Sequence, residues 1–288
     1  MPENQPITVV RKIDELRRLV AAWRSDGLRV GLVPTMGALH EGHASLVRLA
    51  LKEADRVVVS LFVNPKQFNN RDDLAHYPRS EDTDRDLLDD LGVHMLYAPS
   101  PELIYPEGFA TNVVVEGPAL PLEGAKRPGH FTGVATVVCK LFNQVRPDLA
   151  IFGEKDFQQL AVLRRMVRDL DIPVRVIGAP TVREKSGLAL SSRNQRLSDD
   201  DRKRAAGLSK AMAAAVDAIE GGADIAGTLS RSQSAILDAG FDGIDYLALV
   251  GAEDLQPMEE RDRDGRLVAA ATIGGVRLID NMPVKAQR

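Results

Sequence analysis

RVGLVPTMGALHEGHASLVRLALKEADRVVVSLFV, residues 29–63, is the stretch whose reading decides the fold. RVGLVPTM (29–36) is a near-continuous apolar run, as expected of a strand buried on both faces, and DRVVVSLFV (55–63) is a second. Between them ASLVRLALKEA (44–54) sets Leu46, Val47, Ala50, Leu51 and Ala54 on one face at helical spacing, which predicts a helix beginning at Ala44. Two such strands joined by one helix form a βαβ unit, so the strands pair in parallel through a right-handed crossover.

The same alternation extends outward. Leu87, Leu88 and Leu91 mark a helix before the strand VHMLYAP, and Val134, Val137, Val138, Leu141, Phe142 and Val145 mark a long one before LAIFG. Asp156 is placed to cap the next helix, whose inward positions include Leu160, Leu163, Met166, Val167 and Leu170, and PVRVIGAP supplies another strand. After about residue 181 the order changes. A polar loop leads into the Ala-rich SSRNQRLSDDDRKRAAGLSKAMAAAVDAIEGG, then another helix, then the strands IDYLALV, RLVAAATI and VRLID. The expectation is an α/β domain with a doubly wound, Rossmann-like parallel sheet over 1–181 and a smaller α+β domain over 182–288, with a hinge around TVREKSG.

Composition narrows the partners. Among 288 residues, 44% are hydrophobic and 27% charged, which is ordinary for a globular protein. The net charge of -4 argues against a broad nucleic-acid-binding surface but is compatible with a local pocket for a small anion. The single cysteine, Cys139, excludes a disulfide framework and is expected as a buried thiol in a helix. No signal-type apolar stretch opens the chain, and no run approaches the ~18 apolar residues of a membrane span. A cytoplasmic location without membrane contact is expected.

In an open α/β sheet the ligand crevice lies beyond the carboxyl ends of the strands. The segments that follow apolar runs are MGALHEGH, NPKQF and EKDFQQ, and LSSRN stands at the domain boundary. In the first, His40 and His43 are three positions apart, not the four of a zincin helix, and His76, His94 and His130 offer no matching third ligand. Three readings compete: metal ligation, core or capping histidines, and phosphate handling at a helix N-terminus, with Gly37 and Gly42 permitting close backbone approach. The loop fits neither a P-loop nor a dinucleotide fingerprint. Lys155 is either a solvated lysine or an ammonium in the crevice. Ser191, Ser192 and Arg193 suit phosphate oxygens, or form a capped polar turn. Asn64, Gln67 and Gln159 are neutral groups suited to a small hydroxylated or carboxylated substrate, or to fixing their own loops. Asp82, Thr83, Asp84 and Asp86 form an acidic patch at a helix start, read as solvated and dipole-complementing or as holding a magnesium ion that accompanies ATP.

Taken together, PTMGALHEGH, SLFVNPKQF, YPRSEDTD, HFTGV, NQVRPDLAIFGEKDFQQL and TVREKSGLALSSRN resemble, in order and over nearly the whole chain, the pantoate–β-alanine ligase family. That family belongs to a nucleotidyltransferase superfamily whose HIGH-type signature corresponds to His40, Glu41, Gly42 and His43, and whose KMSKS-type signature corresponds to LSSRN. The resemblance implies an ATP-dependent, Mg2+-assisted ligase that condenses pantoate with β-alanine through a pantoyl adenylate, releasing pyrophosphate and then AMP. It implies ATP binding by Met36, Gly37, Ala38, Leu39, His40, Glu41, Gly42 and His43, by Gly153, Glu154, Lys155 and Asp156, by Val182, and by Leu190, Ser191, Ser192 and Arg193. It implies catalytic roles for His43, the general acid, and for His40, Lys155 and Arg193. Gln67 and Gln159 would hold pantoate, Gln67 would border β-alanine, Asn64 and His130 would line the same pocket, and the protein would form a homodimer. Leu190 stands where the family often has methionine, a swap that roughly conserves apolar volume. Rival readings are an adenylyltransferase acting on another small acceptor and a non-catalytic nucleotide sensor.

Overall fold

The computed structural model describes residues 6–69, 74, 75, 77, 78 and 80–287. His76 therefore lies outside the described residues, as does Arg79 of YPRSEDTD. The chain divides into two compact units, one of residues 1–154 and 162–180, the other of residues 155–161 and 181–288. The segment Lys155–Ala161 thus groups with the second unit although it lies early in the chain.

In the first unit six strands form one sheet: β1 (Thr8–Val10), β2 (Val30–Thr35), β3 (Arg56–Leu61), β4 (Met95–Tyr97), β5 (Leu149–Gly153) and β6 (Arg175–Ala179). Their order is β1-β4-β3-β2-β5-β6, and every described pairing is parallel. The βαβ expectation therefore holds at β2 and β3, joined by helix α2 (Glu41–Glu53). Strand β1 and the helix after it, α1 (Ile13–Ser25), complete the edge. A three-residue strand carries too little pattern to announce itself in sequence.

The core of this unit packs α2 against the sheet, with Val47, Ala50, Val57, Val59, Leu96 and Ile151 almost fully enclosed. Burying each such aliphatic side chain contributes about 1.5–3 kcal/mol. The sheet reverses direction of growth between β2 and β5, which is where α/β sheets open a crevice. Two features widen it. The β2–β5 register runs only through Gly31↔Leu149 and Leu32↔Ala150, and Pro34 lacks the N–H that would extend the ladder. Helices α3 (Glu81–Asp90) and α4 (His130–Val145) follow β3 and precede β5.

Helix α5 (Phe157–Asp169) starts in residues of the second unit and ends in the first. The second unit otherwise consists of α6 (Asp199–Glu220), α7 (Ile225–Asp238) and an antiparallel sheet β7-β8-β9 (Gly243–Gly251, Gly265–Ile273, Val276–Val284). Ser198 caps α6, and its apolar face, including Leu208, Met212 and Ile219, packs with Leu249, Leu267 and Leu278 from the strands. The segment TVREKSG, expected as a hinge, begins at the boundary of the two units and forms a bonded hairpin within the second. Leu190 N–H donates to Val182 O (2.9 Å), Glu184 N–H to Leu188 O (2.8 Å), and Arg183 grips buried Asp280 with two bonds of 2.6 and 2.9 Å.

Cys139 is only half-buried, contrary to expectation. It shares the outward strip of α4 with Lys140 and Asn143, whose Nδ2 bonds Cys139 O at 2.9 Å, and partial burial raises the thiol's pKa.

Candidate active site

The turn after β2 is built around a buried carboxylate. Gly37 (φ 87°) and Ala38 (φ 52°) are both left-handed, a conformation that glycine accepts and alanine adopts only when held. Asp84, 2% exposed on α3, does the holding: Oδ2 accepts from Ala38 N–H (2.9 Å) and Oδ1 from Leu39 N–H (2.8 Å). A Cβ on Gly37 would sit 3.1 Å from that same Oδ2. Asp84 is therefore not the solvated residue of the acidic-patch reading, since it is buried and both of its oxygens accept from the turn. Asp82 and Asp86, by contrast, face solvent and pair with Arg85. Among the described residues no three His, Cys, Asp or Glu side chains cluster as a metal site.

Helix α2 begins at Glu41, three residues earlier than the apolar stripe predicts, because the two histidines close its first turn. His40, the N-cap, accepts Gly42 N–H at Nδ1 (3.1 Å), while His43 Nδ1 accepts His40 N–H (3.3 Å). The rings lie 4.2 Å apart, tilted by 45°. Imidazole takes the role that Ser and Glu play in a capping box. A neutral imidazole whose Nδ1 accepts must carry its proton on Nε2, so the cap sets both rings as Nε2–H donors. The capping reading and the phosphate reading are therefore complementary, since one nitrogen of each ring serves the helix and the other can serve a ligand. The backbone is less available than expected, because the N–H groups of Ala38, Leu39, His40 and Gly42 are already used within the turn. Glu41 is exposed and paired with Arg48, which holds its carboxyl below the usual range.

After β3, Asn64 caps a single 3-10 turn, Pro65–Gln67. Asn64 is buried, 1% exposed, and Gln67 is half-buried. Asn64 Nδ2 donates to Gln67 Oε1 (2.9 Å) and to Gly133 O (3.1 Å), and Gln67 Nε2 reaches Met36 Sδ at 3.1 Å. The loops after β2 and β3 thus meet. The turn is clamped from α4 and the residues just before it: His130 Nδ1 lies 2.8 Å from Gln67 O, Arg127 donates to the same oxygen (3.2 Å), and Gly133 lies so close that a Cβ there would be 2.3 Å from Lys66 O. His130, expected to line a pocket, fixes the backbone beneath Gln67.

Gly153 ends β5, and a 3-10 turn Glu154–Asp156 runs directly into α5. Within the second unit, Lys155 O accepts from Asn281 Nδ2 (2.9 Å), and Arg266 lies over the Phe157 ring. Gln159 is half-buried on the first turn of α5, beside buried Gln158. Val182 and Leu190 are partners across the hairpin. Ser191 caps the 3-10 turn Ser192–Arg196 by accepting Arg193 N–H (3.2 Å), and buried Asn194 ties that turn to Ala189 O (3.0 Å). The capped-turn reading of LSSRN accounts for Ser191; Ser192 and Arg193 follow it within the turn.

Fold and site define the class first: a doubly wound α/β protein whose sheet reverses at a helix start capped by two histidines, joined to a smaller antiparallel α+β unit. A family model described as pantoate-beta-alanine ligase matches residues 8–283. The chain is 59% identical over 278 residues to the pantothenate synthetase of Chelativorans sp. (strain BNC1), covering 96% of this chain and 98% of that protein. It is 58% identical over 276 residues to that of Cereibacter sphaeroides (strain ATCC 17029 / ATH 2.4.9), with 96% and 99% covered. A crystal structure of pantothenate synthetase from Thermus thermophilus matches with a TM-score of 0.89 at 48% identity, covering 96% of this chain and 99% of that one. The ligase from Francisella tularensis, solved in complex with beta-gamma ATP and β-alanine, matches at 0.81 and 35%, with 96% and 97% covered. The chain belongs to the pantoate–β-alanine ligase family, the particular class of amide-forming ligases to which that sequence and fold correspond.

Proposed function

We propose that this chain condenses pantoate with β-alanine to pantothenate, using ATP, by way of a pantoyl adenylate. A pantoate carboxylate oxygen attacks the α-phosphorus, and the bond to the bridging oxygen breaks to release pyrophosphate. The unprotonated amine of β-alanine then attacks the activated carbonyl carbon, and AMP departs as the amine loses its extra proton. Family membership supports the overall reaction, and the single structural observation that carries its chemistry is the reciprocal His40–His43 cap. Two preset Nε2–H donors can meet charge that develops on phosphate oxygens without reorganising at the moment of reaction. With the loop amides of Ala38 and Leu39 committed to Asp84, the imidazoles carry more of that role than the backbone does.

Within this reading His43, the general-acid position of the resemblance, donates its Nε2–H as a hydrogen bond to the departing pyrophosphate without giving up the proton, and His40, Lys155 and Arg193 stabilise its charge. ATP is held by 36–43, 153–156, Val182 and 190–193; Gln67 and Gln159 hold pantoate, and Gln67 borders β-alanine. Residues 1–181 serve as the ATP- and pantoate-binding domain and residues 182–288 as a smaller lid domain that keeps the acyl adenylate from water. Mg2+ would accompany ATP and offset the charge of its phosphates. A cytoplasmic homodimer completes the reading, to be checked by sedimentation. No described helix is long and apolar enough to cross a membrane.

Exchange of labelled pyrophosphate into ATP tests the first step. Exchange that requires pantoate but not β-alanine is expected; none at saturating pantoate overturns the two-step scheme. A stable adenylylated product with no amide would instead identify an adenylyltransferase.

A further inference from the structure

Asn64 sits between two backbone groups that can each play only one part. Lys66 N–H donates to Oδ1 (3.3 Å) and Gly133 C=O accepts from Nδ2 (3.1 Å), so the orientation of this amide is fixed. Two consequences follow. The Gln67 atom 2.9 Å from Asn64 Nδ2 must be the acceptor Oε1, and the Tyr105 hydroxyl 2.8 Å from Oδ1 must donate. Asn64 then makes two donations and two acceptances and is saturated. Gln67 is left with Oε1 turned inward and its NH2 against the thioether of Met36, a weak acceptor that a substrate oxygen can readily replace.

We propose that Tyr105, acting through Asn64, is a positioning residue that holds in place the Gln67 amide whose NH2 end the two backbone groups turn toward substrate. The site so set takes a carboxylate or a hydroxyl lone pair and disfavours an ammonium group. Tyr105 fills the second acceptor position of Asn64 Oδ1, and its ring is anchored by Phe62 (centroids 6.2 Å apart), by Phe109 (5.1 Å) and by the Lys66 ammonium (5.3 Å). Without the hydroxyl, Oδ1 keeps only the long bond from Lys66, so the Asn64 amide, its polarity still fixed by the two backbone groups, is held less firmly and Gln67 loses part of its placement. The inference rests on Gln67 being a pantoate-binding residue.

The test is pantoate-dependent pyrophosphate exchange in Tyr105→Phe, Gln67→Ala and the double variant. Tyr105→Phe keeps the ring, and an unchanged melting curve confirms intact packing. The expected result is a rise of about threefold to tenfold in the KM for pantoate, the scale of one hydrogen bond, with the KM for ATP within about twofold. In the double variant the tyrosine change adds nothing to the effect of Gln67→Ala, the non-additivity of residues acting through one another. If Gln67→Ala raises the pantoate KM while Tyr105→Phe leaves it unchanged, or if the two effects add, the positioning role is overturned and the assignment of Gln67 stands. If Gln67→Ala itself leaves the pantoate KM unchanged, that assignment falls and the inference falls with it.

Discussion

His43 combines two duties in one ring, since Nδ1 closes the first turn of α2 while Nε2–H is the donor that the proposed chemistry uses. Replacing it with alanine is expected to lose about 2–4 kcal/mol of transition-state stabilisation, measured from kcat/KM against wild type. Near-normal turnover would remove His43 from that role. Asp84 is a structural counterpart: Asp84→Ala orphans the N–H groups of Ala38 and Leu39, and at about 1–3 kcal/mol for each such group a loss of about 2–6 kcal/mol in urea unfolding is expected. An unchanged midpoint would mean that water replaces the carboxylate without loss. The contrast shows what single residues reveal in sequence. The histidine pair was legible because its partners are three positions apart and spacing constrains what they can do. Asp84 was read as part of a solvated patch because its partners lie 46 and 45 residues away, and only the sheet order makes them neighbours.

Elements were legible where a period ran long enough and blurred where a cap or a turn overrode it. Strands β2, β3 and β5 follow from their apolar runs, whereas the start of α2 was missed by three residues because the stripe begins after the histidine cap. The TVREKSG segment was marked only by the change in element order, and its tie to Asp280, 97 residues from Arg183, could not be read locally. The contact between α4 and the Asn64–Gln67 turn was equally hidden. A glycine inside a helix ordinarily weakens it, yet at Gly133 the helix approaches Lys66 so closely that only a hydrogen fits. Gly133→Ala is therefore expected to push the turn away, costing about 1–3 kcal/mol of stability by overpacking and raising the KM for pantoate more than that for ATP. Equal changes in both constants would show that the turn does not control pantoate binding.

At the scale of the whole molecule the α/β class followed from alternation, but strand order did not. Nothing local tells β5 to pair on the far side of β2, and that choice creates the reversal at which the histidine turn lies. The same order makes His94, at the head of β4, a long-range linchpin of the first unit. Its Nδ1 accepts Val57 N–H on β3 (3.2 Å), its carbonyl accepts Thr8 N–H of β1 (3.3 Å), and Trp23 of α1 packs edge-on against the ring. Burial lowers its pKa from the ordinary 6.5, and the nearby Arg56 guanidinium lowers it further. Protonation would replace the acceptor facing Val57 N–H with a donor. The sign follows by linkage: between the depressed folded value and 6.5 the unfolded chain binds more protons at this position than the folded one. The His94 contribution is therefore fully present above pH 6.5 and is lost as pH falls through the folded value. Wild-type denaturation midpoints should decline below that point, beyond the general loss from protonating carboxylates. In His94→Gln, which keeps an acceptor and cannot titrate, the decline below pH 6.5 should be shallower. Parallel profiles for the two proteins would show that His94 remains neutral throughout or carries no stabilising role.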